Sequence, residues 1–413
     1  MAMADFQRTK EVDTLLSFIG NGKVNIVAGL RRAGKTYLLD TVFVNKLINE
    51  LKTYVEKDIG ILYLDSVDKD IRTEVQLDSA LANLAKNNKK IIIIDEVQLA
   101  TGFVNSLKAF VKMHPEIAVF VTGSNSDILS KQIIAMFQGS AETLIINPLT
   151  YKEIIEEIPD YPIDTYVAYG GLPYIVLEKH EKKAIELEKI FKELYERDVE
   201  SKINKTLKYL STVHAKELIN LISSSVSPVS PASIAKKFLR GLTRTGLDEA
   251  IVVKEINDIL SILEDCFLLK HILIDDYEKR TPLENIGLNK KYYFADNGLR
   301  YIKCLDLSKA MGYCLENAVF IHLSMRGIIP TGYLMLGEKN DIVGEIDFDY
   351  MFEKKQYLLQ VTHTINEKDY KREIGNLKDL PSSFIKQVVY MNNITGKEEE
   401  GITYLRGKEF FTK

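Results

Sequence analysis

The residues from Gly29 to Thr36 form a glycine-rich octapeptide that ends in lysine and threonine. They read GLRRAGKT and satisfy the pattern G-x-x-x-x-G-K-[ST] in full. The glycines let backbone N–H groups approach phosphate oxygens, and a helix that begins at Lys35 adds positive potential there. Lys35 would reach the outer phosphates, and Thr36 would give its hydroxyl to Mg²⁺. The other residues expected beside the phosphates are Gly29, Arg31, Arg32, Ala33, Gly34 and Tyr37.

Two carboxylates follow a run of four isoleucines farther along the chain. Ile91–Ile94 is apolar on both faces, as a central strand requires, and Asp95 and Glu96 come directly after it. There, Asp95 would hold Mg²⁺ through water, and Glu96 would polarise an attacking water as general base. The alternative is an ordinary strand that ends in an acidic cap. Together with the octapeptide, the pair predicts ATP and Mg²⁺ as ligands and hydrolysis as the reaction.

These residues need a scaffold to position them, and residues 24–147 alternate between strand and helix patterns. Short apolar runs predict strands at Val24–Ala28, Ile59–Leu64, Ile91–Ile94, Ile117–Val121 and Thr143–Ile146. Apolar residues at three-to-four spacing predict helices at Lys35–Leu51, Leu77–Lys86 and Phe103–Lys112. Strands that are apolar on both faces and alternate with helices form a parallel sheet with helical cover. We therefore predict an α/β fold for this part of the chain.

The pattern changes after residue 148. Residues 151–209 are helical, charged and poor in strands, apart from a break at Tyr169–Pro173. Three helices and a strand follow in the order of a winged helix-turn-helix, at Ala215–Ile222, Ala232–Leu239, Leu247–Glu264 and Leu268–Ile274. The last part mixes a helix with strands, at Leu315–Arg326, Ile346–Phe352, Gln356–Val361 and Val388–Met391. The two middle segments of this last set predict a hairpin.

Composition excludes several classes of protein. The 413 residues suit two to four domains, and 54 basic against 58 acidic side chains give a net charge of −4, which does not suit a general polyanion binder. Cys266, Cys304 and Cys314 lack the number and spacing of a disulfide scaffold or a zinc site. No apolar run approaches the length that spans a bilayer, and the N-terminus has no signal-peptide core. We therefore expect a cytoplasmic protein that does not enter a membrane.

Five segments together resemble one group of prokaryotic AAA+-type P-loop ATPases, the archaeal ATPase and signal-transduction ATPase branch. The segments are GLRRAGKT, IIIIDEVQ, VTGSNSDIL, YGGLPY and YFADNGLR. The strand between the octapeptide and Asp95, with Glu96 directly after Asp95, resembles the additional-strand, catalytic-glutamate class of these ATPases. The resemblance implies four modules: a P-loop AAA+-like core at 1–150, a helical lid at 151–210, a winged helix-turn-helix at 211–280 and a PD-(D/E)XK restriction-endonuclease-like domain at 281–413.

The resemblance also implies roles for residues outside the two main motifs. Ser124 or Asn125 would sense the terminal phosphate at the end of its strand, and a simple turn is the alternative. Gly171 and Pro173 match a Gly-x-Pro motif that closes over the base and ribose, and a plain turn between helices is the alternative there.

Arginines determine the expected rate of hydrolysis. The related ATPases often carry an arginine that acts across subunits on the terminal phosphate, and Ser140 stands in its place here. Such a group is worth orders of magnitude in rate, so we expect slow hydrolysis or the use of another arginine such as Arg197. Arg31 and Arg32 either add charge near the phosphates or lie exposed on their loop.

A local cluster of cations lies within the winged-helix segment. Its members are Lys236, Lys237, Arg240 and Arg244, and no carboxylate separates them. They could contact DNA phosphates. However, the next helix carries Asp248, Glu249, Glu255 and Asp258, which would repel a duplex, so a protein–protein role is the favoured alternative.

The C-terminal segment has residues at four positions expected of a PD-(D/E)XK nuclease, but two of the four have changed chemistry. Glu316 fits the helix position and Asp347 the strand position, whereas Gln360 replaces a carboxylate and Thr362 replaces the lysine. A neutral amide is a weak Mg²⁺ ligand, and threonine carries no charge. We therefore expect no nuclease activity and a fold that persists as a binding platform.

These observations predict a Mg–ATP-binding AAA+-type ATPase that acts as a nucleotide-dependent conformational switch. Its partner would be an unidentified protein, with oligomerisation as a further expectation from the resemblance. The alternatives are an ATP-regulated DNA-binding factor and an ATPase coupled to a nuclease.

Overall fold

The structure is a computed structural model that describes residues 6–65, 71–123, 131–241, 248–279, 281–283, 289–337, 342–364, 374–378, 380–392 and 400–413. The chain divides into two compact units. The first unit comprises residues 1–148 and 265–267, and the second comprises residues 149–264 and 268–413. Among the described residues, no helix is both long and apolar enough to cross a membrane.

A parallel sheet forms the centre of the first unit. Its described strands are β1 (Val24–Ala28), β2 (Ile59–Tyr63), β3 (Ile91–Asp95), β4 (Ala118–Gly123) and β5 (Ala141–Ile145). They pair in parallel in the order β2-β3-β4-β1-β5. Because the strands are parallel, the loop after β1 and the carboxylates after β3 emerge at the same edge of the sheet. Only β4 separates these two strands, so the loop and the carboxylates lie close together there. This sheet confirms the predicted α/β fold.

Helices cover the sheet of the first unit. They are α1 (Thr9–Ser17), α2 (Lys35–Tyr37), α3 (Glu74–Lys86), α4 (Phe103–Met113) and α5 (Lys131–Phe137). The helix after the octapeptide was predicted as one α-helix to Leu51. It instead continues from α2 through π-helical segments at Leu38–Phe43 and Lys46–Glu50. Short 3₁₀ turns lie at Glu56–Asp58 and Val97–Leu99.

Apolar burial explains why these elements pack as layers. The strand residues Ile92 and Ile94 contribute to one continuous core with Leu77 from α3 and Leu107 from α4, and all four side chains are fully buried. Each such side chain contributes roughly 1.5–3 kcal/mol relative to exposure. The three-to-four spacing thus places the apolar side chains on the helix face that packs against the sheet.

The second unit begins with helices, as the sequence predicted for residues 151–209. The helices of this unit are α6 (Tyr151–Glu157), α7 (Ile163–Tyr169), α8 (Pro173–Leu177), α9 (His180–Leu194), α10 (Ser201–Thr206), α11 (Thr212–Ser223), α12 (Pro231–Gly241), α13 (Glu249–Asp265), α14 (Asn297–Tyr301), α15 (Leu307–Met325), α16 (Gly375–Lys378) and α17 (Gly407–Thr412). A π-helical segment, Tyr195–Glu200, joins α9 to α10. Helix α15 begins at Leu307, earlier than the predicted start at Leu315.

A mixed sheet completes the second unit. Its described strands are β6 (Leu269–Asp276), β7 (Thr281–Pro282), β8 (Lys290–Phe294), β9 (Thr331–Leu336), β10 (Ile342–Phe352), β11 (Lys355–Thr362), β12 (Ile385–Tyr390) and β13 (Ile402–Arg406). The order is β13-β12-β11-β10-β9-β6-β7, and β8 pairs with β6. Strands β9, β10 and β11 form an antiparallel meander, whereas β12 joins β11 in parallel. Strand β6 therefore connects the segment after α13 to the C-terminal strands.

The predicted hairpin forms between β10 and β11. Phe352 pairs with Lys355, so Glu353 and Lys354 make the two-residue turn. Their φ values of 49° and 63° are left-handed, as a type I′ turn requires. This turn matches the right-handed twist of the strands and sets the register that brings Asp347 beside β11.

Candidate functional site

The octapeptide, called the phosphate loop from here on, lies between β1 and α2. Strand β1 ends at Ala28, whose carbonyl accepts a 2.8 Å hydrogen bond from Ile146 N–H just after β5. Gly29 follows with φ of 136°, and a Cβ at this position would overlap the Ile146 carbonyl oxygen. Only glycine fits there, because the loop must turn directly against the backbone that follows β5.

Lys35 lies inside the curve of the phosphate loop. Its side chain is buried, and Nζ donates hydrogen bonds to the carbonyl oxygens of Gly29 at 3.0 Å and Leu30 at 3.1 Å. A buried ammonium held by its own loop places positive charge where the sequence predicted phosphate to bind. Arg31 is half-buried, whereas Arg32 and Tyr37 are exposed at the rim of the loop.

Arg8 supports the phosphate loop from the N-terminal segment. Its buried guanidinium donates to the Ala33 carbonyl at 3.1 Å and to the Asn147 carbonyl at 2.9 Å. The arginine thus connects the loop to the segment after β5. Sequence reasoning missed Arg8 because it belongs to no motif and lies far from the loop along the chain.

Three hydroxyl and carboxylate groups meet at the carboxyl edge of the sheet. The Thr36 hydroxyl donates to Asp95 Oδ1 at 2.8 Å, and the Thr122 hydroxyl donates to the same oxygen at 2.6 Å. Thr122 also accepts a 3.0 Å hydrogen bond from Glu96 N–H. One threonine at the end of β4 therefore positions both acidic residues. Ser124 and Asn125, predicted for the neighbouring role, lie outside the described residues.

The surroundings of Asp95 suit a metal-binding carboxylate. Burial raises the pKa of Asp95 above its ordinary value, while hydrogen bonds from Thr122 and Thr36 oppose that rise. In the part of the chain that the structure describes, no group of three or more His, Cys, Asp or Glu side chains is arranged to hold a metal. Thr36 and Asp95 nevertheless fit Mg²⁺, which takes few protein oxygens and completes its shell with water and phosphates.

Glu96 has an unusual backbone conformation. Its φ of 55° and ψ of 49° are left-handed, a conformation that costs a non-glycine residue free energy and is frequent at functional sites. The Gln98 amide, in the 3₁₀ turn that follows, donates a short hydrogen bond to Glu96 Oε2. The Gln98 Oε1 atom is buried and finds no hydrogen-bond partner among the described residues. Gln98 is thus a second residue that sequence reasoning missed, although it lies within the quoted IIIIDEVQ segment.

Gly171 and Pro173 lie in the second unit. A Cβ on Gly171 would overlap the Leu149 carbonyl oxygen, and Leu149 N–H donates to Gly171 O at 2.7 Å. The Gly171 N–H donates to Asp296 Oδ2 at 2.8 Å, and Pro173 occupies the first turn of α8. Burial raises the pKa of Asp296 to about 6, against the lowering effect of hydrogen bonds from Gly171 and neighbouring amides. The YGGLPY and YFADNGLR segments are therefore joined through one buried carboxylate.

The cations predicted to meet DNA are partly neutralised. Lys237 Nζ lies 2.9 Å from Glu217 Oε1, and Lys236 Nζ lies 4.0 Å from Glu249 Oε1. Arg240 is exposed on α12, and Arg244 lies outside the described residues.

One acidic residue of the next helix faces inward. The buried Glu255 carboxylate accepts N–H groups from Lys208, Tyr209 and Leu210. It therefore holds the segment before α11 and presents no charge to a partner.

Two of the nuclease-like positions, Glu316 and Asp347, lie on either side of one lysine in the second unit. Glu316 lies on α15, Asp347 on β10, and Gln360 and Thr362 on β11. The first three are buried, and the Thr362 hydroxyl donates to the Thr364 carbonyl at 3.0 Å. A lysine from β8, Lys291, reaches the same place, and the sequence pattern did not reveal it.

Comparisons with known proteins agree with the geometry of the first unit. Residues 21–155 match the family model of an AAA domain, and residues 161–309 match a domain of unknown function, DUF8612. The uncharacterized protein MJ1544 of Methanocaldococcus jannaschii is 26% identical, over 91% of this chain and 84% of that protein. An uncharacterized protein of Haemophilus influenzae is 25% identical, over 97% of this chain and 96% of that protein.

A solved structure, the ADP form of the Aeropyrum pernix ORC2 protein, is 11% identical with a TM-score of 0.35 and covers 77% of this chain and 94% of that chain. A TM-score of 0.35 supports no conclusion about function. The AAA domain match coincides with the parallel sheet that holds the phosphate loop, Asp95 and Thr122. Residues 21–155 of this chain therefore have an α/β P-loop fold and match the family model of an AAA domain.

Proposed function

We propose that this protein binds Mg–ATP at the phosphate loop, hydrolyses it slowly and acts as a nucleotide-dependent conformational switch toward a protein partner. The observation that carries the proposal is the hydrogen-bonded set of Thr36, Asp95, Thr122 and Glu96 at the edge of the sheet. Thr36 lies in the first turn of the helix that follows the loop, and its hydrogen bond to Asp95 brings the set beside the place where a terminal phosphate would sit.

Each residue would have a defined role. Lys35 would leave its two carbonyl partners to neutralise the outer phosphates, while loop N–H groups hold the others. Thr36 and Asp95 would hold Mg²⁺, which when bound neutralises charge on the phosphate oxygens. Glu96 would accept a proton from the attacking water as general base.

Slow hydrolysis follows from the residue at position 140. Ser140 stands where the resemblance places a trans-acting arginine, and serine carries no charge to stabilise the terminal phosphate. Arg197 lies on the second unit with Nη1 3.8 Å from Glu193 Oε1, and its side chain is exposed. It is the arginine that we propose as a substitute.

Lys35→Ala tests the proposal. We expect its affinity for Mg–ATP to fall by about tenfold to a hundredfold, because a hydrogen bond to a charged group contributes about 1.5–3 kcal/mol. The measurement is calorimetric titration with a nonhydrolysable ATP analogue. Lys46→Ala is the matched control. Lys46 lies farther along the same continuous helix, and its Nζ lies 2.6 Å from Glu50 Oε2. If Lys35→Ala binds the analogue as tightly as the wild type, the site is misassigned.

Gln98→Ala tests a positioning residue of the same site. We expect kcat for ATP hydrolysis to fall about tenfold with little change in KM, because the Gln98 amide hydrogen-bonds the Glu96 carboxylate, whose proposed role is in the chemical step and not in binding phosphate. The measurement is phosphate release against ATP concentration, together with thermal unfolding of the variant.

A purely structural role for Gln98 makes a different prediction. It would lower the thermal midpoint and reduce kcat and nucleotide affinity together. That outcome would contradict the positioning role while leaving Glu96 as the proposed base.

A DNA-binding function has weaker support. Lys236 and Lys237 already lie near carboxylates, so engaging DNA phosphates would require them to give up these ion pairs. No contact of the described residues favours DNA over a protein partner for this segment.

A further inference from the structure

Three carboxylates surround one buried ammonium in the second unit. Lys291 Nζ lies 2.7 Å from Glu316 Oε1, 2.7 Å from Glu345 Oε1 and 3.7 Å from Asp347 Oδ1. The Lys291 side chain is only 1% exposed, whereas that of Glu345 is 29% exposed. The four residues come from β8, α15 and β10, so the cluster joins three elements that are separate along the chain.

Other contacts hold the carboxylates in place. The Tyr293 hydroxyl donates to Glu316 Oε1 at 2.8 Å, and Val361 N–H donates to Asp347 Oδ2 at 2.7 Å. The aromatic rings of Phe320 and Phe348 pack against Tyr293, with ring centroids 4.4 Å and 5.7 Å away. The cluster is therefore fixed by packing as well as by charge.

The electrostatics favour a charged lysine despite its burial. Burial alone would lower the pKa of Lys291, but the carboxylates of Glu316 and Glu345 hold it well above its ordinary value. A buried ion pair is stable only when its geometry is good and its remaining hydrogen-bonding capacity is satisfied. Two contacts of 2.7 Å meet the first condition.

The same cluster includes two positions at which the resemblance to PD-(D/E)XK nucleases predicts Mg²⁺ ligands, Glu316 and Asp347. The residues present do not fit that metal, because the ammonium already contacts both carboxylates. A divalent cation drawn between them would meet the Lys291 charge at close range in a poorly solvated site.

We propose that Lys291 occupies this centre in place of a divalent cation, so that β8, α15 and β10 are held together by an internal, metal-independent cation. The centre then binds no Mg²⁺ and cleaves no phosphodiester bond. The predicted loss of nuclease chemistry thus depends on a lysine that fills the site as well as on Gln360 and Thr362.

Lys291→Ala is the direct test, with thermal unfolding measured in nucleotide-free buffer with and without MnCl₂. We expect the wild-type midpoint for the second unit to be insensitive to Mn²⁺. The variant should unfold about 5–10 °C lower, because three carboxylates lose their cation, and Mn²⁺ should recover part of that loss. The double variant with Asp347→Asn should show no recovery. A Lys291→Ala protein that is as stable as the wild type, or that Mn²⁺ does not stabilise, would overturn the proposal.

A second measurement remains decisive if Lys291→Ala does not fold. Wild-type protein is incubated with plasmid DNA and Mg²⁺ or Mn²⁺, alongside Asp347→Asn. We expect no cleavage by either protein and no Mn²⁺ signal assigned to this centre by paramagnetic resonance. Metal-dependent cleavage by the wild type that is lost in Asp347→Asn would show that a cation does enter, and the proposal would fail.

Discussion

Glu96→Gln is expected to retain ATP and to lose almost all hydrolysis. Glutamine has nearly the same size and can keep the hydrogen bond of the Glu96 N–H to Thr122, so the end of β3 should not move. It cannot accept a proton from water at neutral pH, and positioned general bases contribute about 10²–10⁴ in rate. We therefore expect kcat to fall by that factor while the affinity for Mg–ATP stays within about twofold. Phosphate release and calorimetric titration measure the two quantities separately.

The proper comparison for Glu96→Gln is Glu116→Gln. Glu116 lies on the surface of the same unit, where its carboxylate is 68% exposed and 3.4 Å from His114 Nδ1. The charge change is identical, so any loss caused by net charge alone would occur in both variants. Hydrolysis by Glu96→Gln at the wild-type rate would exclude Glu96 as the base and leave Thr122 and Asp95 to orient the water unaided.

Gly171→Ala is expected to destabilise the second unit strongly, with or without nucleotide. Its Cβ would overlap the Leu149 carbonyl oxygen, a backbone atom that cannot rotate away. Relief requires the backbone to shift and to weaken the buried hydrogen bonds of Gly171 with Leu149 and Asp296. Overpacking and lost buried hydrogen bonds together suggest about 3 kcal/mol or more in the free energy of unfolding. Urea denaturation, followed by circular dichroism, measures this loss.

Gly312→Ala is the matched control for that substitution. Gly312 lies in helix α15 of the same unit, and its Cβ would lie 3.9 Å from His363 Cβ, an ordinary contact. The change should stabilise the helix by about 0.5–1 kcal/mol, because glycine is a poor helix former. If instead Gly171→Ala keeps wild-type stability and loses only ATP affinity, Gly171 acts by contacting nucleotide, as the Gly-x-Pro resemblance suggested.

The local features of this protein follow from sequence patterns with simple physical causes. Strand β1 has the predicted bounds Val24–Ala28, because a fully buried strand must be a continuous apolar run. The hairpin between β10 and β11 formed as predicted, but its turn is Glu353 and Lys354 alone, since a two-residue turn with left-handed backbone suits the strand twist and leaves Lys355 in the strand. The helix after the phosphate loop was less predictable, because π-helical turns depend on packing and carry no periodic signature.

The residues of the phosphate loop and the acidic pair could also be identified from the sequence, because phosphate and Mg²⁺ chemistry requires particular side chains at short, fixed spacing. By itself the sequence therefore determined the phosphate loop, the acidic pair and the parallel sheet that carries them. Tertiary structure decided that Thr122 contacts Asp95 and supports Glu96, and that Arg8 supports the loop. It also decided that Lys291 fills the carboxylate cluster. These contacts join residues far apart in the chain, and their distances depend on strand order and register, which no local pattern of residues encodes.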